Sequence, residues 1–214
     1  MTDLSPLYGL RLRTPRLELR LGNREELVAL GRLAEEGIHP PEEMPFAIAW
    51  SDRIGEPDFV DGFVAFHEDT LAAWRSESWT LNLLVWAQGE LAGSQGVGAE
   101  AFAERRTVET GSWLGSRFQR RGLGTEMRAA VLELAFRGLG AEAAESGALS
   151  GNVASYRVSE KLGYELSGTH TVSPRGEPVE SRDLRLTRPA WKPPLEVEIE
   201  GLEPCLPLFG LKFE

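Results

Sequence analysis

A short run of arginine and glycine residues is the part of this chain best suited to chemistry. Residues 119–126 read Gln-Arg-Arg-Gly-Leu-Gly-Thr-Glu and lie between a predicted strand and a predicted amphipathic helix. Backbone N–H groups at the start of a helix, together with the helix dipole, bind phosphate oxygens. Gly122 and Gly124 let the backbone approach those oxygens, and Arg120 and Arg121 add positive charge. The segment therefore predicts a site for a pyrophosphate group.

The spacing of this segment excludes two common phosphate loops. It lacks the Gly-Lys-Ser/Thr of a P-loop, and its glycines do not follow the Gly-x-Gly-x-x-Gly of dinucleotide-binding folds. The strand before it also ends a series of hairpins instead of opening a β-α-β unit. The pattern that fits is Gln/Arg-x-x-Gly-x-Gly/Ala, and a tight turn whose glycines serve only geometry is the structural alternative.

This pattern closely resembles the coenzyme A loop of the GNAT N-acyltransferases, and three further segments support the resemblance. Residues 110–114, Thr-Gly-Ser-Trp-Leu, resemble the fourth strand of that family, whose backbone binds the pantetheine arm. Asn-Val-Ala-Ser at 152–155 and Glu-Lys-Leu-Gly-Tyr at 160–164 resemble its second cofactor motif. Thr-Pro-Arg-Leu at 14–17 is similar to the opening of the Rim-type branch, the ribosomal-protein N-terminal acetyltransferases.

The chain is especially similar to actinobacterial succinyl-CoA-type members of this family, and that likeness extends to residues 44–46 and 207–210. The resemblance implies an acyl-CoA-dependent N-acyltransferase. It would move an acetyl or succinyl group from acetyl-CoA or succinyl-CoA to a primary amine by direct attack, with coenzyme A as product. The acceptor is open: a protein N-terminus, a lysine or a small-molecule amine would suit the chemistry.

The resemblance also implies the residues of the cofactor site. They are Trp113, Leu114, Gln119, Arg120, Arg121, Gly122, Leu123, Gly124, Thr125, Asn152, Ser155 and Lys161. Within this set Asn152 would bond the pantetheine amides, cap the following helix, or do both. Lys161 would contact the adenosine phosphates or lie on the solvated surface.

Two serines are the predicted catalytic residues, Ser155 and Ser159. Many GNAT enzymes protonate the leaving thiolate with a tyrosine seven residues after the motif asparagine, and this chain has Ser159 there. In the Rim branch the serine three residues after the asparagine, here Ser155, has been proposed instead. The missing tyrosine motivates the alternative of a catalytically idle acyl-CoA-binding or sensing module. Candidate general bases remain open among Glu109, Glu126 and the histidines at 39 and 170, and a chain of water molecules to solvent could serve equally well.

Periodicity predicts the elements that would position these residues. An N-terminal strand at 10–21 precedes a helix capped by Asn23 and a second helix at 57–74. A β meander, the glycine loop, a helix, a short strand, another helix and a final hairpin follow. This mixed order predicts an α+β fold, a strongly twisted mixed sheet flanked by helices as in GNAT proteins. Residues 1–214 would be one domain, with 192–214 as a C-terminal extension packed on it.

Composition sets the broad class of protein. The 214 residues are 42% hydrophobic and 26% charged, which is ordinary for a globular chain. The net charge of −10 disfavours nucleic acid and anionic membranes as partners, while a cationic amine is compatible with it. Cys205 is the only cysteine, so no intrachain disulfide can form. We expect no metal, because no cluster of histidine, cysteine, aspartate and glutamate residues has metal-ligand spacing. We also expect a homo-oligomer, because the apolar tail could reach another subunit, and a cytoplasmic location.

Overall fold

Nine strands build one mixed sheet in residues 2–211, the part of the chain that this computed structural model describes. They are β1 (Arg11–Arg13), β2 (Leu17–Arg20), β3 (Ser78–Ala87), β4 (Glu90–Glu100), β5 (Thr107–Leu114), β6 (Ala143–Leu149), β7 (Glu165–Val172), β8 (Val179–Thr187) and β9 (Glu198–Glu200). Their order across the sheet is β7-β8-β6-β5-β4-β3-β2-β1-β9. Every neighbouring pair is antiparallel except β5 and β6, which are parallel. The α+β class predicted from the sequence is confirmed.

Helices cover both faces of this sheet. They are α1 (Arg24–Glu35), α2 (Phe59–Ala72), α3 (Phe102–Arg105), α4 (Leu123–Glu133) and α5 (Val153–Lys161). The side chain of Asn23 accepts a hydrogen bond from the N–H of Glu26, whose carboxylate accepts one from the N–H of Asn23. This reciprocal pair fixes the start of α1 at the residue that the sequence predicted.

Side chains of β5 alternate between the two faces and so divide the site into two sides. The ring of Trp113 lies 6.2 Å from that of Phe63 on α2. The hydroxyl of Ser112, the residue before it, accepts a hydrogen bond from Arg128 on α4. Since successive residues of a strand point to opposite faces, odd-numbered residues of β5 face α2 and even-numbered ones face α4.

The N-terminal strand predicted at 10–21 is in fact two strands, β1 and β2. The chain turns between them, and the N–H of Thr14 donates to the carbonyl of Leu17 at 2.9 Å. The hydroxyl of Thr14 accepts from the N–H of Leu17, also at 2.9 Å. Pro15 lies inside this turn, where its missing N–H costs no ladder bond. The turn places Thr14 and Arg16 against α4.

The C-terminal segment returns to the opening of the chain. Strand β9 pairs with β1, Leu12 lying opposite Ile199. Cys205 and Phe209 are buried, and the indole of Trp74 donates to the carbonyl of Leu208 at 2.9 Å. Residues 212–214 of the predicted extension lie outside the described residues.

Candidate active site

A gap between β5 and β6 is the centre of the candidate site. The two strands pair from Thr107 with Ala143 to Thr110 with Ser146, and the pairing ends there. β5 continues along β4 to Leu114, which lies opposite Gly93. Residues 111–114 therefore border a gap that no described strand fills.

Backbone groups of β5 point into this gap. The N–H of Gly115 donates to Ala92 of β4, so the alternate residues Ser112 and Leu114 direct their N–H groups away from β4. The N–H of Trp113 instead points to β4, and its indole faces α2. Ser112 and Leu114 thus have the donors that could bind a carbonyl oxygen in the gap, whereas Trp113 contributes its ring.

A buried arginine bridges the two strands where their pairing ends. Arg128 is 3% exposed and donates to Ser146 of β6 at 3.0 Å and to Ser112 of β5 at 3.2 Å. Its Nε atom is also buried and has no partner among the described residues. Burying a guanidinium without a carboxylate is costly, so this positive charge is a distinctive property of the gap. Arg128 was not predicted from the sequence, because its place on an apolar helix face carries no chemical signature.

The N-terminus of α4 is open to an anion. Gly122 precedes the helix with φ at 80°, a conformation that favours glycine, and no side chain caps the first turn. The first bond of the helix runs from the N–H of Glu126 to the carbonyl of Gly122. The N–H groups of residues 123–125 precede it and have no partner in the described chain. Such a terminus fits a pyrophosphate group, as the sequence predicted.

Charged side chains surround this terminus. Arg120 and Arg121 are exposed and make no ion pair within residues 2–211. Lys161, at the end of α5, is exposed as well. A phosphate could therefore bind these cations without breaking an existing contact. Each of them also has the surroundings of an ordinary surface residue.

Several other predicted residues shape the loop from inside. The amide nitrogen of Gln119 donates to the carbonyls of Ile38 and Leu114, at 2.6 and 2.8 Å, so its side chain holds the loop. Leu123 is buried, and Thr125 is half-buried in the first turn of α4. Gly124 lies next to α5, and a Cβ atom at this position would make an ordinary contact with Val158 at 3.7 Å.

The second motif places its asparagine at the start of α5. The side chain of Asn152 accepts from the N–H of Ser155 at 3.0 Å and donates to the carbonyl of Pro45 at 3.2 Å. It therefore caps the helix and also holds the loop before α2. The hydroxyl of Ser155 is half-buried and makes no hydrogen bond within the described chain. That hydroxyl can serve a ligand.

Ser159 lies in a different environment. It is fully buried, and its Oγ atom has no hydrogen-bond partner within residues 2–211. Its backbone carbonyl accepts from the N–H groups of Leu162 and Tyr164, which end α5. This burial argues against the predicted catalytic role of Ser159, because a proton donor must reach the reacting atoms.

An aromatic cleft of about 790 Å³ opens on the α2 side of β5. Its floor includes Gly96 and Gly98 of β4 and Gly111 of β5, and Glu109 and Glu100 also line it. Seven phenylalanine and tryptophan residues line it, Phe46, Trp50, Phe59, Phe63, Phe66, Trp79 and Trp113. Because residues 111–113 border both this cleft and the β5–β6 gap, the two spaces meet there.

His67 of α2 lines the same cleft and was not among the histidines considered from the sequence. It is 6% exposed, and its ring lies 4.8 Å from that of Phe63. Burial lowers the pKa of His67 to about 4, so the imidazole is neutral at pH 7. In the sequence, the only sign that His67 shares a helix face with Phe63 is the four-residue spacing between them, and that spacing is also typical of a core position.

The other base candidates lie in structural contacts. The two ring nitrogens of His39 lie 2.8 Å from the carbonyl of Pro40 and from the hydroxyl of Ser51. His170 pairs with Asp183 on the exposed β7–β8 hairpin. Glu126 binds Arg16 and Thr14 behind the loop. Glu109 alone among the predicted candidates lines the cleft.

The described chain was found to contain neither a metal-binding cluster nor a membrane-spanning helix. Residues 2–211 contain no group of three or more histidine, cysteine, aspartate or glutamate residues placed to hold a metal ion. Within the same range, no helix has the length and hydropathy needed to cross a membrane.

The fold and the gap define a known class of acyltransferase. The family model described as an acetyltransferase (GNAT) domain matches residues 37–165, so this chain belongs to the GNAT acetyltransferase family. The matched range contains the aromatic cleft, the β5–β6 gap, the glycine loop and α5.

Solved structures share the fold at low sequence identity. RimL, a ribosomal L7/L12 α-N-protein acetyltransferase in complex with coenzyme A, is 16% identical with a TM-score of 0.63, over 81% of this chain and 95% of that one. RimJ from Mycobacterium smegmatis, in complex with a CoA-disulfide, is 18% identical with a TM-score of 0.64, over 85% and 88%. A GNAT-family acetyltransferase from Bacillus anthracis is 16% identical with a TM-score of 0.63, over 84% and 99%. At these identities the likeness shows the fold alone.

Proposed function

We propose that this chain transfers an acyl group from coenzyme A to a primary amine by direct attack on the thioester. The observation that carries the proposal is the meeting of three features. The uncapped N-terminus of α4 fits the pyrophosphate, the β5–β6 gap fits the pantetheine arm, and the aromatic cleft opens on the far side for the amine. Membership of the GNAT family supports acetyl-CoA as the donor.

The chemistry requires three tasks of the residues around the gap. The amine nitrogen attacks the carbonyl carbon while the C–S bond breaks, giving an amide and free coenzyme A. The N–H groups of Ser112 and Leu114 are placed to stabilise the negative charge that develops on the carbonyl oxygen. Glu109 lies where it could accept the proton that the amine loses, directly or through water. We assign protonation of the leaving thiolate to the hydroxyl of Ser155.

The acyl donor and the acceptor are further parts of the proposal. A succinyl donor needs a cation for its distal carboxylate, and Arg120 is exposed and unpaired within the described residues. Arg117 is less suitable because it pairs with Glu36. RimL is described as a ribosomal L7/L12 α-N-protein acetyltransferase, so the acceptor of that protein is a protein N-terminus, and for this chain a protein N-terminus, a lysine or a small-molecule amine stays open.

Three sequence-based expectations remain proposals. One is a single domain of residues 1–214 with 192–214 as an extension, and another is a cytoplasmic location. The third is a homo-oligomer. The apolar C-terminal tail does not support it, because Cys205 and Phe209 of that tail are buried within their own chain. Light scattering at micromolar concentration measures the assembly directly.

The first experiment measures thermal stabilisation by coenzyme A, acetyl-CoA, succinyl-CoA, ATP and NAD. A ligand at 100 times its Kd adds about 2.7 kcal/mol, which is easily detected. Stabilisation by the CoA compounds alone supports the proposal, and their ranking indicates the donor. Stabilisation by ATP instead would point to a nucleotide-binding protein, and no effect of any CoA compound would overturn the proposal.

The second experiment separates an enzyme from an idle binding module. Free coenzyme A released in the presence of amines can be followed with a chromogenic disulfide. Burial raises the pKa of Cys205 to about 11, so the protein's own thiol should stay silent in this assay. Tight CoA binding without release of thiol for any amine supports the idle module. Release that falls in Ser155→Ala supports the proposed acid.

A further inference from the structure

We propose that the acceptor is a small cationic amine that carries an aromatic or similarly flat apolar group. This inference rests on the proposed function and names the substrate class of the same site. It follows from the rings, the charges and the floor of the aromatic cleft.

The rings of the cleft form one continuous surface around Trp50. The ring of Trp50 lies 5.1 Å from that of Phe46, 5.8 Å from that of Phe63 and 5.8 Å from that of Trp113. Trp50 and Trp113 are only half-buried, so their faces remain partly free. Aromatic rings prefer offset or edge-to-face partners at such distances, and a ligand ring can add to this cluster.

The mouth of the cleft keeps large apolar side chains in contact with water. Phe66 is 61% exposed and Ile48 is 76% exposed, and both line the cleft. A contiguous exposed apolar patch bordered by polar groups often marks a binding site. An apolar ligand group would cover these side chains.

The charges of the cleft favour a cation. Glu109 makes no ion pair within residues 2–211, and Glu100 accepts only from the hydroxyl of Ser78 at 2.6 Å. Arg53, the one arginine on the cleft wall, already pairs with Glu56 at 2.8 Å and with Asp58 at 3.1 Å. An ammonium ion can therefore approach Glu109 without competing with another cation, and the aromatic faces attract it further.

The floor places this ammonium beside the reacting carbon. Glu109, Gly111 and Trp113 lie on the same face of β5. A Cβ atom added to Gly111 would meet nothing within 4 Å, so the floor is open at the end of the gap. A flat group can lie over the glycines, with its amine between Glu109 and the gap.

Other amine classes fit these features less well. A polyamine has several ammonium groups but no flat apolar part, so it would find only Glu100 and Glu109 as carboxylates in the cleft lining and would leave most of the apolar aromatic surface uncovered. A flat aromatic amine uses the rings, the carboxylate and the glycine floor together.

The test compares tryptamine and phenethylamine with hexylamine, spermidine and a short peptide with a free N-terminus, using the donor that stabilises the protein best. We expect kcat/KM for the aromatic amines to exceed that for spermidine and the peptide by about tenfold or more, the scale of one or two aromatic contacts. Phe66→Ala should raise KM for tryptamine several-fold with little change in kcat. The control Tyr8→Ala removes a 49% exposed ring outside the cleft and should change neither.

Two results would overturn this inference while leaving the proposed function intact. One is a preference for spermidine or the peptide at normal CoA binding. The other is an equal effect of Phe66→Ala and Tyr8→Ala. A failure of the proposed function is separate, because it would appear as a loss of CoA stabilisation before any amine is added.

Discussion

The Oε2 atom of Glu126 lies 2.7 Å from Nε of Arg16 and so ties the opening turn of the chain to the first turn of α4. The other carboxylate oxygen accepts from the hydroxyl of Thr14 at 2.6 Å and from the N–H of Arg16 at 3.0 Å. Arg16 also donates to the carbonyl of Arg121 at 3.0 Å. Residues 14–17 near the start of the chain thus support the proposed pyrophosphate loop.

Replacing Glu126 with glutamine should weaken this support. Glu126 is 4% exposed, and loss of its charge-assisted bonds should cost about 1.5–3 kcal/mol of stability. Because the loop loses its anchor at Arg121, the Kd for coenzyme A should rise several-fold. Chemical denaturation and calorimetric titration measure the two effects. Glu133→Gln is the control, since Glu133 is 7% exposed on the same helix and binds Arg137 and Trp191 away from the loop. Equal CoA affinities in the two variants would contradict the anchoring role.

Replacing Arg128 with methionine should separate stability from function. A buried guanidinium without a carboxylate contributes little to folding, so we expect stability to be unchanged or higher. The charge lies beside the gap and orients Ser112 and Ser146, so kcat should fall roughly tenfold while CoA binding persists. The control Arg137→Met breaks a partly buried ion pair with Glu133 and should leave kcat unchanged. A normal kcat in Arg128→Met would show that the arginine only fills space.

His67 should make the folded state sensitive to mild acid. Its pKa is about 4 in the folded chain and near 6.5 when unfolded, so between these values only the unfolded chain takes up the proton. Stability should therefore fall as pH decreases from 6.5 to 4, by about 3 kcal/mol from this group, and change no further below 4. His67→Gln should lack this component in urea denaturation across that range. Parallel pH profiles for the two proteins would disprove the assignment.

Gly111→Val should close the floor of the cleft without disturbing the fold. The position has open space beside it, and a β-branched residue suits a strand. We expect normal thermal stabilisation by coenzyme A and a large rise in KM for amines. Gly98→Val is the contrasting variant, because its Cβ atom would lie 2.9 Å from the backbone carbonyl oxygen of Trp79 and should destabilise the sheet. Unchanged amine kinetics in Gly111→Val would place the acceptor elsewhere.

The sequence by itself determined most of the order of elements and the position of the glycine loop, although the single strand predicted at 10–21 is in fact two. Period-two and helical patterns located the meander, α4 and α5, and Asn23 marked the start of α1, because such signals depend on local geometry. The glycine loop was recognisable because its chemistry resides in backbone N–H groups at fixed spacing. These features involve residues that are close in the chain.

Only the tertiary structure decided which side chains meet. Arg128 between β5 and β6, His67 in the aromatic cleft, and Glu126 on Arg16 all depend on contacts between residues far apart in sequence. The same packing buried Ser159 and turned the amide of Gln119 inward. Burial and long-range contacts arise from the packing of whole elements, which the pattern of one segment does not encode.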